Sequence, residues 1–453
     1  MLKHEHWSNR VAFLMASIGA AVGLGNIWKF PYTLGSSGGS GFLIVYLAAV
    51  ALIAAPIMVA EMVIGRHGKL SAPNSMRLLA QRCGASGKWA WVGWMGLTGS
   101  FIVLSFYSVI AGWAMAYIFK TATGTFSELT PGGSAAVFDE LLNSPLEMTF
   151  WHFVFMAITI FIVGRGINAG IEKAVNWMMP ALFMMLLALV VYAAIQGDFA
   201  ATLEYMFTPD FSKITPAVAL AAVGQAFFSL SVGFGMILTY AAYLPDNVSL
   251  PRSTFIIAVG DTLVALLAGL AMFPIIFANG LDPASGPGLI FVTLSTAFGQ
   301  MTGGTFVGTV FFLLIFVAAL TSSIAILETM TARAEESAGM PRRVAAPLIG
   351  AAVFVLGLAT VLSFNAWQDV RPLGFLKSFE TKSIFDVLDY VVSNVLLPLG
   401  GMLFSIFAGW ILSRESTVEE LGMGDGPAYR LWRFLARFVA PVAVGLVFIF
   451  NLR

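Results

Sequence analysis

Long apolar stretches fill most of the chain and restrict its fold more than any other feature. A helix that crosses a bilayer needs about 20 mostly apolar residues. Eleven stretches of this kind lie near residues 11–35, 41–65, 89–119, 149–164, 170–195, 215–243, 253–279, 304–335, 345–363, 386–412 and 431–451. Only helices and closed barrels span lipid, and these stretches lack the alternation of barrel strands. The sequence therefore predicts an all-α polytopic membrane protein with eleven transmembrane helices.

The composition excludes several other classes of protein. Of the 453 residues, 58% are hydrophobic and 11% are charged, whereas a soluble chain is typically about 25% charged. An ordinary soluble enzyme, a nucleic-acid binder and a disordered protein are therefore excluded. The formal net charge of +0 implies no electrostatic partner, and the single cysteine, Cys83, excludes an intramolecular disulfide framework.

The basic residues predict how the chain is oriented in the membrane. Of 24 Lys and Arg, 17 fall in one set of connections and six in the other, and Lys29 lies inside the first span. The positive-inside rule places the richer set, and the N-terminus with it, in the cytoplasm. An odd number of spans then places the C-terminus outside. No cleavable signal peptide is expected, because the first apolar run carries no small-residue cleavage pattern.

Paired glycines interrupt two of the predicted spans. Gly23 and Gly25 lie in the first span, and Gly233 and Gly235 lie in the sixth. Each glycine costs about 1 kcal/mol relative to alanine inside a helix, although small residues also allow close helix packing. Each pair lies in the first helix of a block of five, and matched interruptions of this kind point to the binding site of a secondary transporter.

This arrangement predicts a single transporter domain over residues 1–453. An inverted repeat would pair residues of about 7–195 with those of about 215–412, and one extra helix would follow at about 431–451. The unwound stretches would leave carbonyls and amides without helical partners. Carbonyls can hold a sodium ion, and helix N-termini can hold a carboxylate.

Polar side chains inside the spans are candidate functional residues. Asp261 lies deep in the seventh span, where a lone carboxylate needs a cation or a proton. Thr321, Ser322 and Ser323 offer oxygens to a hard cation, although such hydroxyls also bond back to their own helix. Glu61 is placed to accept hydrogen bonds from the amides of a broken helix. No His–Asp partner accompanies the serines, which argues against an intramembrane hydrolase.

Three motifs resemble those of the neurotransmitter:sodium symporter family. They are AVGLGNIWKFPY at 21–32, GQAFFSLS at 224–231 and LTSSIA at 320–325. The resemblance covers spans one to ten, and eleven spans are usual in the bacterial branch of the family. It implies a LeuT-type 5+5 inverted repeat with helices 1 and 6 broken mid-membrane. It also implies sodium-coupled transport by alternating access, in the plasma membrane of a bacterium.

The resemblance further implies two sodium sites. The first would use Ala21, Asn26, Ser229 and Asp261. The second would use Gly19, Val22, Ala318, Thr321 and Ser322.

A substrate site is implied beside these ions. It would be built by Ala21, Gly23, Leu24, Gly25, Val103, Tyr107, Phe228, Ser229, Ser231, Phe234, Ser322 and Ile326. Monoamine transporters of the family carry a carboxylate at the position of Gly23. Its absence here implies a substrate with its own carboxylate, and the apolar lining implies a hydrophobic L-amino acid. Leu, Ile, Met, Phe, Tyr and Trp all remain candidates, because one methylene is worth only about 1–3 kcal/mol in an apolar pocket.

The sequence departs from the family at the position of Asp261, where a neutral residue is common. Ala265 stands where chloride-independent relatives usually carry a carboxylate. We therefore expect Asp261 to supply the negative charge directly, so that no chloride is required.

Gate residues follow from the same resemblance. Lys29 replaces the usual Arg of the outer gate and would pair with Asp389 or Asp386. Tyr243 and Glu336 match the inner gate, whose usual N-terminal Arg is replaced by His4, with Lys3 adjacent.

The start of the fifth span is a candidate for unwinding. Gly170 and Pro180 weaken this end of the helix, and its opening would release sodium from the second site. A static kink at Pro180 is the alternative.

Taken together, the sequence predicts a symporter for hydrophobic L-amino acids rather than an enzyme, with no nucleic-acid partner and no obligate protein partner. The alternatives are a sodium- or proton-coupled transporter of another small zwitterion, and a non-transporting amino-acid sensor on the same scaffold.

Overall fold

Helices form every regular element of the computed structural model, which describes residues 6–127, 129–283 and 288–451. Within these residues, nine helices are long and apolar enough to cross a membrane. We label them by their position among the predicted spans: α2 Ser40–Gly68, α3 Gly87–Ala122, α4 Pro145–Val163, α5 Ile167–Gln196, α7 Leu250–Ala278, α8 Gly304–Ala338, α9 Arg342–Ser363, α10 Ile384–Ile411 and α11 Pro427–Phe450.

The first predicted span is a bent pair of helices. α1a (Arg10–Ala21) and α1b (Gly25–Ser36) meet at an angle of 50° and together make a tenth candidate span. The sixth predicted span consists of α6a (Pro216–Ser229) and α6b (Met236–Ala242), each too short to cross a bilayer alone. The two predicted breaks are therefore present, and the count of eleven spans stays a prediction because it depends on counting α6a and α6b as one.

Backbone conformation explains why the helices stop where they do. α1a ends at Val22, whose φ of −68° and ψ of 111° are extended. Between α6a and α6b the chain is left-handed at Ser231 (φ +52°), Gly233 (φ +104°) and Gly235 (φ +76°). Glycine adopts such angles readily, whereas Ser231 carries backbone strain of about 1–3 kcal/mol.

Burial separates a central group of helices from a peripheral one. The most apolar segments of α3 and α8 are 83% and 78% buried, whereas those of α5 and α11 are 28% and 22% buried. α8 packs against α1a, α3 and α5, and α6b packs against α2. The breaks therefore lie at the centre of the bundle, and the outer helices turn large apolar side chains such as Trp177 and Phe161 outward.

Short helices lie in the connections between the spans. Ala72–Arg82 follows α2, Pro131–Leu142 precedes α4, Phe199–Phe207 follows α5, Leu289–Gln300 precedes α8 and Arg414–Leu421 follows α10.

Candidate functional site

A small cavity lies between the two helix breaks, α3 and α8. Its volume is about 30 Å³, and it is lined by Ala21, Gly23, Gly25, Val103, Tyr107, Phe228, Ser231, Phe234, Met236, Ser322 and Ile326. Ten of these eleven residues are predicted substrate-site residues. One molecule of liquid water occupies about 30 Å³. The cavity is therefore about as large as one water molecule, and the side chains around it are closely packed.

Two predicted residues do not line the cavity, and one residue that lines it was not predicted. Leu24 does not line the cavity, but its amide donates to the Tyr107 hydroxyl at 3.1 Å. Ser229 belongs to the neighbouring polar cluster and not to the cavity wall. Met236 lines the cavity and was not predicted. Its only sequence signal is that it directly follows Gly235 at the end of the break.

Gly23 allows α1 to approach the other walls closely. A Cβ at this position would lie 2.5 Å from Ser322 Oγ and 2.7 Å from the Tyr107 hydroxyl oxygen. Any side chain would therefore displace these two hydroxyls. The wall at Gly23 consists of backbone, with no room for the carboxylate that monoamine transporters carry there.

A polar cluster adjoins the cavity where the first sodium site is predicted. The Asn26 Nδ2 lies 2.9 Å from Ser229 Oγ and 2.8 Å from Asp261 Oδ1. Ser229 Oγ donates to Asp261 Oδ2 at 2.5 Å, and all three side chains are fully buried. Asn26 also accepts from the Gly23 amide at 3.2 Å through Oδ1. The cluster thus joins both breaks to α7.

Two further residues of this cluster were not assigned a role from the sequence. The Tyr46 hydroxyl lies 3.1 Å from Ser229 Oγ, and Gln225 Nε2 donates to the Gly25 carbonyl at 2.8 Å. Gln225 falls inside the 224–231 motif, which is a usable signal. Tyr46 lies in an apolar stretch of α2 without any comparable pattern.

A second group of oxygens gathers where α1a ends against α8. Ser322 Oγ lies 3.3 Å from the Gly19 carbonyl oxygen, 3.1 Å from that of Val22 and 3.4 Å from that of Ala318. Thr321 Oγ1 lies 3.0 Å from the Ala318 oxygen. All five residues predicted for the second sodium site therefore meet at one point.

The donor atoms of both groups suit sodium. They are carbonyl and hydroxyl oxygens with the carboxylate of Asp261, which hard cations prefer, whereas Asn26 turns its amide nitrogen toward Ser229 and Asp261. In the described ranges, no group of three or more His, Cys, Asp or Glu side chains is placed to hold a metal ion. A transition-metal site is therefore not supported in that part of the chain.

Glu61 binds the second break. It is fully buried, and its Oε1 accepts from the Gly233 amide at 2.6 Å. This contact satisfies a backbone donor that the helix interruption leaves free.

The predicted outer gate does not form an ion pair. Across the described residues, Lys29 makes no salt bridge, and its Nζ lies 4.2 Å from the centre of the Phe228 ring. Asp389 instead accepts from Ser393 Oγ at 2.9 Å, and Asp386 caps the start of α10 with Ser383.

The predicted inner-gate residues lie in two separate networks. The Tyr243 hydroxyl donates to Glu328 Oε1 at 2.8 Å, and Arg342 Nη1 lies 2.7 Å from Glu328 Oε2. Glu336 instead accepts from the Ser71 amide at 2.5 Å. The predicted positions Lys3 and His4 lie outside the described residues. The role of Arg342 was not predicted, because an arginine at the start of a span resembles an ordinary orientation signal.

The start of α5 is helical but widened. α5 begins at Ile167, three residues before the predicted start at Gly170, and Ile167–Glu172 forms a π-helical turn. Pro180 lies inside the helix. A Cβ on Gly19 would lie 2.9 Å from Met179 Sδ, so α5 packs directly beside the second oxygen group.

Comparison with known proteins agrees with this arrangement. The model of the sodium:neurotransmitter symporter family matches residues 4–130 and 136–453. The chain is 36% identical to YhdH of Bacillus subtilis, an uncharacterized sodium-dependent transporter, over 99% of this chain and 97% of that protein. An uncharacterized sodium-dependent transporter of Haemophilus influenzae is 34% identical over 99% of this chain and 98% of its own.

A solved structure confirms the predicted LeuT-type fold. The crystal structure of MhsT in complex with L-phenylalanine superposes with a TM-score of 0.89 and 38% sequence identity, over 98% of this chain and 99% of MhsT. The family match, the relatives and the fold agree along the whole chain. The chain therefore belongs to the sodium:neurotransmitter symporter family and is a sodium-dependent membrane transporter, not an enzyme.

Proposed function

We propose that the protein is a sodium-coupled symporter that takes up hydrophobic L-amino acids by alternating access. The proposal rests on the cavity between the two breaks. One wall of this cavity is apolar, and the adjoining wall at Gly23 consists of backbone atoms. MhsT was crystallised in complex with L-phenylalanine, and an amino acid of this kind has an apolar side chain and a carboxylate that match the chemistry of the two walls.

Each end of an amino acid has a counterpart in the site. The carboxylate would meet the amides of Leu24 and Gly25 at the N-terminus of α1b, together with the Tyr107 hydroxyl, to which the Leu24 amide donates in this structure. The amine would meet carbonyls at the breaks, including those of Ala21 and Phe228. The side chain would lie among Val103, Phe234 and Ile326.

Two sodium ions complete the proposed mechanism. One would bind at Asn26, Ser229 and Asp261, and the other between α1a and α8 at Ser322 and Thr321. The first ion would touch the substrate carboxylate, so that sodium and amino acid each increase the affinity for the other. The sodium gradient would then drive uptake across the bacterial plasma membrane, with the N-terminus in the cytoplasm and the C-terminus outside.

Uptake into proteoliposomes tests this proposal. Labelled leucine and tryptophan are offered under an inward sodium gradient, and then with potassium on both sides. Concentrative uptake only with sodium is expected. Sodium-dependent binding without uptake would identify a sensor instead, and uptake driven by a proton gradient would favour a proton-coupled transporter. If the protein neither binds nor takes up either amino acid, the result would point to another small zwitterion as the substrate.

We further propose that transport requires no chloride, because Asp261 contributes a buried negative charge within 2.8 Å of Asn26. Sodium-driven uptake is expected to be equal in chloride and in gluconate. Loss of uptake in gluconate would overturn this part of the proposal while leaving the symport intact.

A further inference from the structure

A groove of about 670 Å³ runs along the lipid-facing surface between α4 and α9. Its size falls within the range of about 300–1,000 Å³ that is usual for small-molecule pockets. Phe153 and Phe161 flank it, and each is 58% exposed. It lies on the outer surface, away from the cavity between the helix breaks.

Small residues create this groove. A Cβ on Gly350 would collide with the side chain of Ile160, so α4 and α9 touch closely at that point. Ala157 and Gly164 on α4 and its following turn, with Ala351 on α9, form the floor. Aromatic side chains beside small ones leave an apolar channel between α4 and α9.

One end of the groove carries two arginines. Arg165 follows the last turn of α4, Arg343 is in the first turn of α9, and both are exposed and line the groove. The neighbouring Arg342 instead turns inward and pairs with Glu328 and Glu335. No ion pair joins Arg165 or Arg343 to any acidic side chain of the described residues.

The geometry holds the two charges at the groove mouth. The Arg165 guanidinium stacks 4.1 Å from the centre of the Phe161 ring, which is a favourable cation–π distance. α9 starts after Pro341, whose side chain does not cap the helix. The positive end of the α9 helix dipole therefore lies at the same end of the groove as the two arginines. By the positive-inside rule, this end lies in the cytoplasmic leaflet, where anionic lipids concentrate.

We propose that this groove is a binding site for an anionic phospholipid. Its phosphate lies between Arg165 and Arg343, and one acyl chain lies along the apolar floor. A second copy of the chain is a poorer occupant, because a two-fold interface would bring the same arginines against each other. A soluble anion is also poorer, because it would leave the apolar channel unused.

Native mass spectrometry of the full chain, purified in neutral detergent and mixed with phosphatidylglycerol or phosphatidylcholine, tests the proposal. The wild-type protein is expected to retain more phosphatidylglycerol than phosphatidylcholine. Each arginine near an anionic surface is worth about a fivefold change in affinity, so R165Q and R343Q should each lower the preference about fivefold, and the double variant about 25-fold. A351F should block the groove and reduce retention of phosphatidylglycerol without changing the charge.

The control is R252Q, which removes an exposed arginine at the start of α7, away from the groove. It is expected to behave as wild type. An unchanged preference in the double variant, or an equal loss in R252Q, would overturn the proposal. If inorganic phosphate at the same concentration as the lipid competes with it, the site would bind an anion without using the acyl chain. If the protein shows no lipid preference but forms a dimer that A351F disrupts, the groove would instead be a contact surface for a second copy of the chain.

Discussion

At the scale of single residues, Gly23 sets how closely the walls of the cavity approach one another. Its missing side chain leaves room for the hydroxyls of Tyr107 and Ser322 to approach the backbone. The same hydroxyls lie between the cavity and the second oxygen group. A change of one methyl at Gly23 therefore acts on both the proposed substrate and the proposed ion.

Gly23→Ala is predicted to weaken amino-acid binding strongly. Its methyl carbon would lie 2.5 Å from Ser322 Oγ, and overpacking of this kind costs about 1–3 kcal/mol, or about 5- to 150-fold in affinity. Equilibrium binding of labelled leucine in saturating sodium measures the loss. Gly445→Ala in α11 is the control, because no heavy atom lies within 4 Å of its Cβ. Wild-type affinity in Gly23→Ala would place the substrate elsewhere.

Ser322 and Ser323 form a matched pair for the second sodium site. Ser322 Oγ lies near three carbonyl oxygens, whereas Ser323 Oγ is buried and makes no hydrogen bond to any described residue. Hydrogen bonds to charged groups are worth about 1.5–3 kcal/mol. Ser322→Ala should therefore raise the half-saturating sodium concentration at least about tenfold, and Ser323→Ala should leave it unchanged. Equal shifts in both variants would contradict the assignment.

At the scale of elements, the two interrupted helices are stabilised by different means. The break in α1 is short and is bridged by Asn26, which bonds back to the Gly23 amide. The break in α6 is longer, contains three left-handed residues, and depends on Glu61 from α2. The second break thus has a carboxylate from another helix directly on its backbone, whereas the first break reaches the Asp261 carboxylate of α7 through the side chain of Asn26.

The start of α5 is the element predicted to open when sodium leaves. Pro180 removes one helix hydrogen bond, and the widened turn Ile167–Glu172 precedes it. Pro180→Ala is predicted to slow sodium release to the cytoplasmic side, measured by stopped-flow release from inside-out vesicles. Pro274→Ala, another interior proline in α7, should leave release unchanged. Release at the wild-type rate in Pro180→Ala would indicate a static kink.

At the scale of the whole molecule, a buried ion pair ties α8 to α9. Arg342 and Glu328 are 8% and 0% exposed, and the Tyr243 hydroxyl of the loop after α6b joins them. This cluster connects the end of α6b to the central helix α8. We expect it to hold one end of the bundle closed.

A double-mutant cycle tests the importance of this pair. Arg342→Ala alone should destabilise the protein by about 3–5 kcal/mol, because it removes the buried cation that pairs with Glu328. Glu328→Ala should destabilise the protein less, because Arg342 keeps its ion pair with Glu335. The double variant should be less destabilised than the sum of the two. Denaturant unfolding in detergent measures all three, with Arg343→Ala as the exposed neighbouring control. Additive effects would show that the two charges do not interact.

Much of the site could be predicted from local sequence. The glycine pairs marked both breaks, because glycine is costly in a helix and permissive outside it. The motif at 320–325 contains Thr321 and Ser322, and Ser322 lies beside the end of α1a, while the sodium-binding role of both residues stays a prediction. Residues within a motif keep their spacing along the helix, so Thr321 and Ser322 lie within one turn of α8.

Partners distant in the chain were harder to predict. Lys29 lies over the Phe228 ring, Tyr243 contacts Glu328 and Glu336 contacts Ser71, while the gate roles of Lys29, Tyr243 and Glu336 stay predictions. Long flexible side chains reach several partners, and the choice depends on how far two helices are tilted. Tyr46 and Met236 carried no polar or periodic signal at all.

The sequence by itself determined that the chain crosses a membrane many times, where two of its helices break, and which side chains are rich in oxygen. These properties follow from composition, helix propensity and local spacing. The tertiary structure alone decided which oxygens meet, which charges pair and where grooves remain between helices. Those outcomes depend on the packing of α1, α6 and α8, whose contacts join residues up to 303 positions apart.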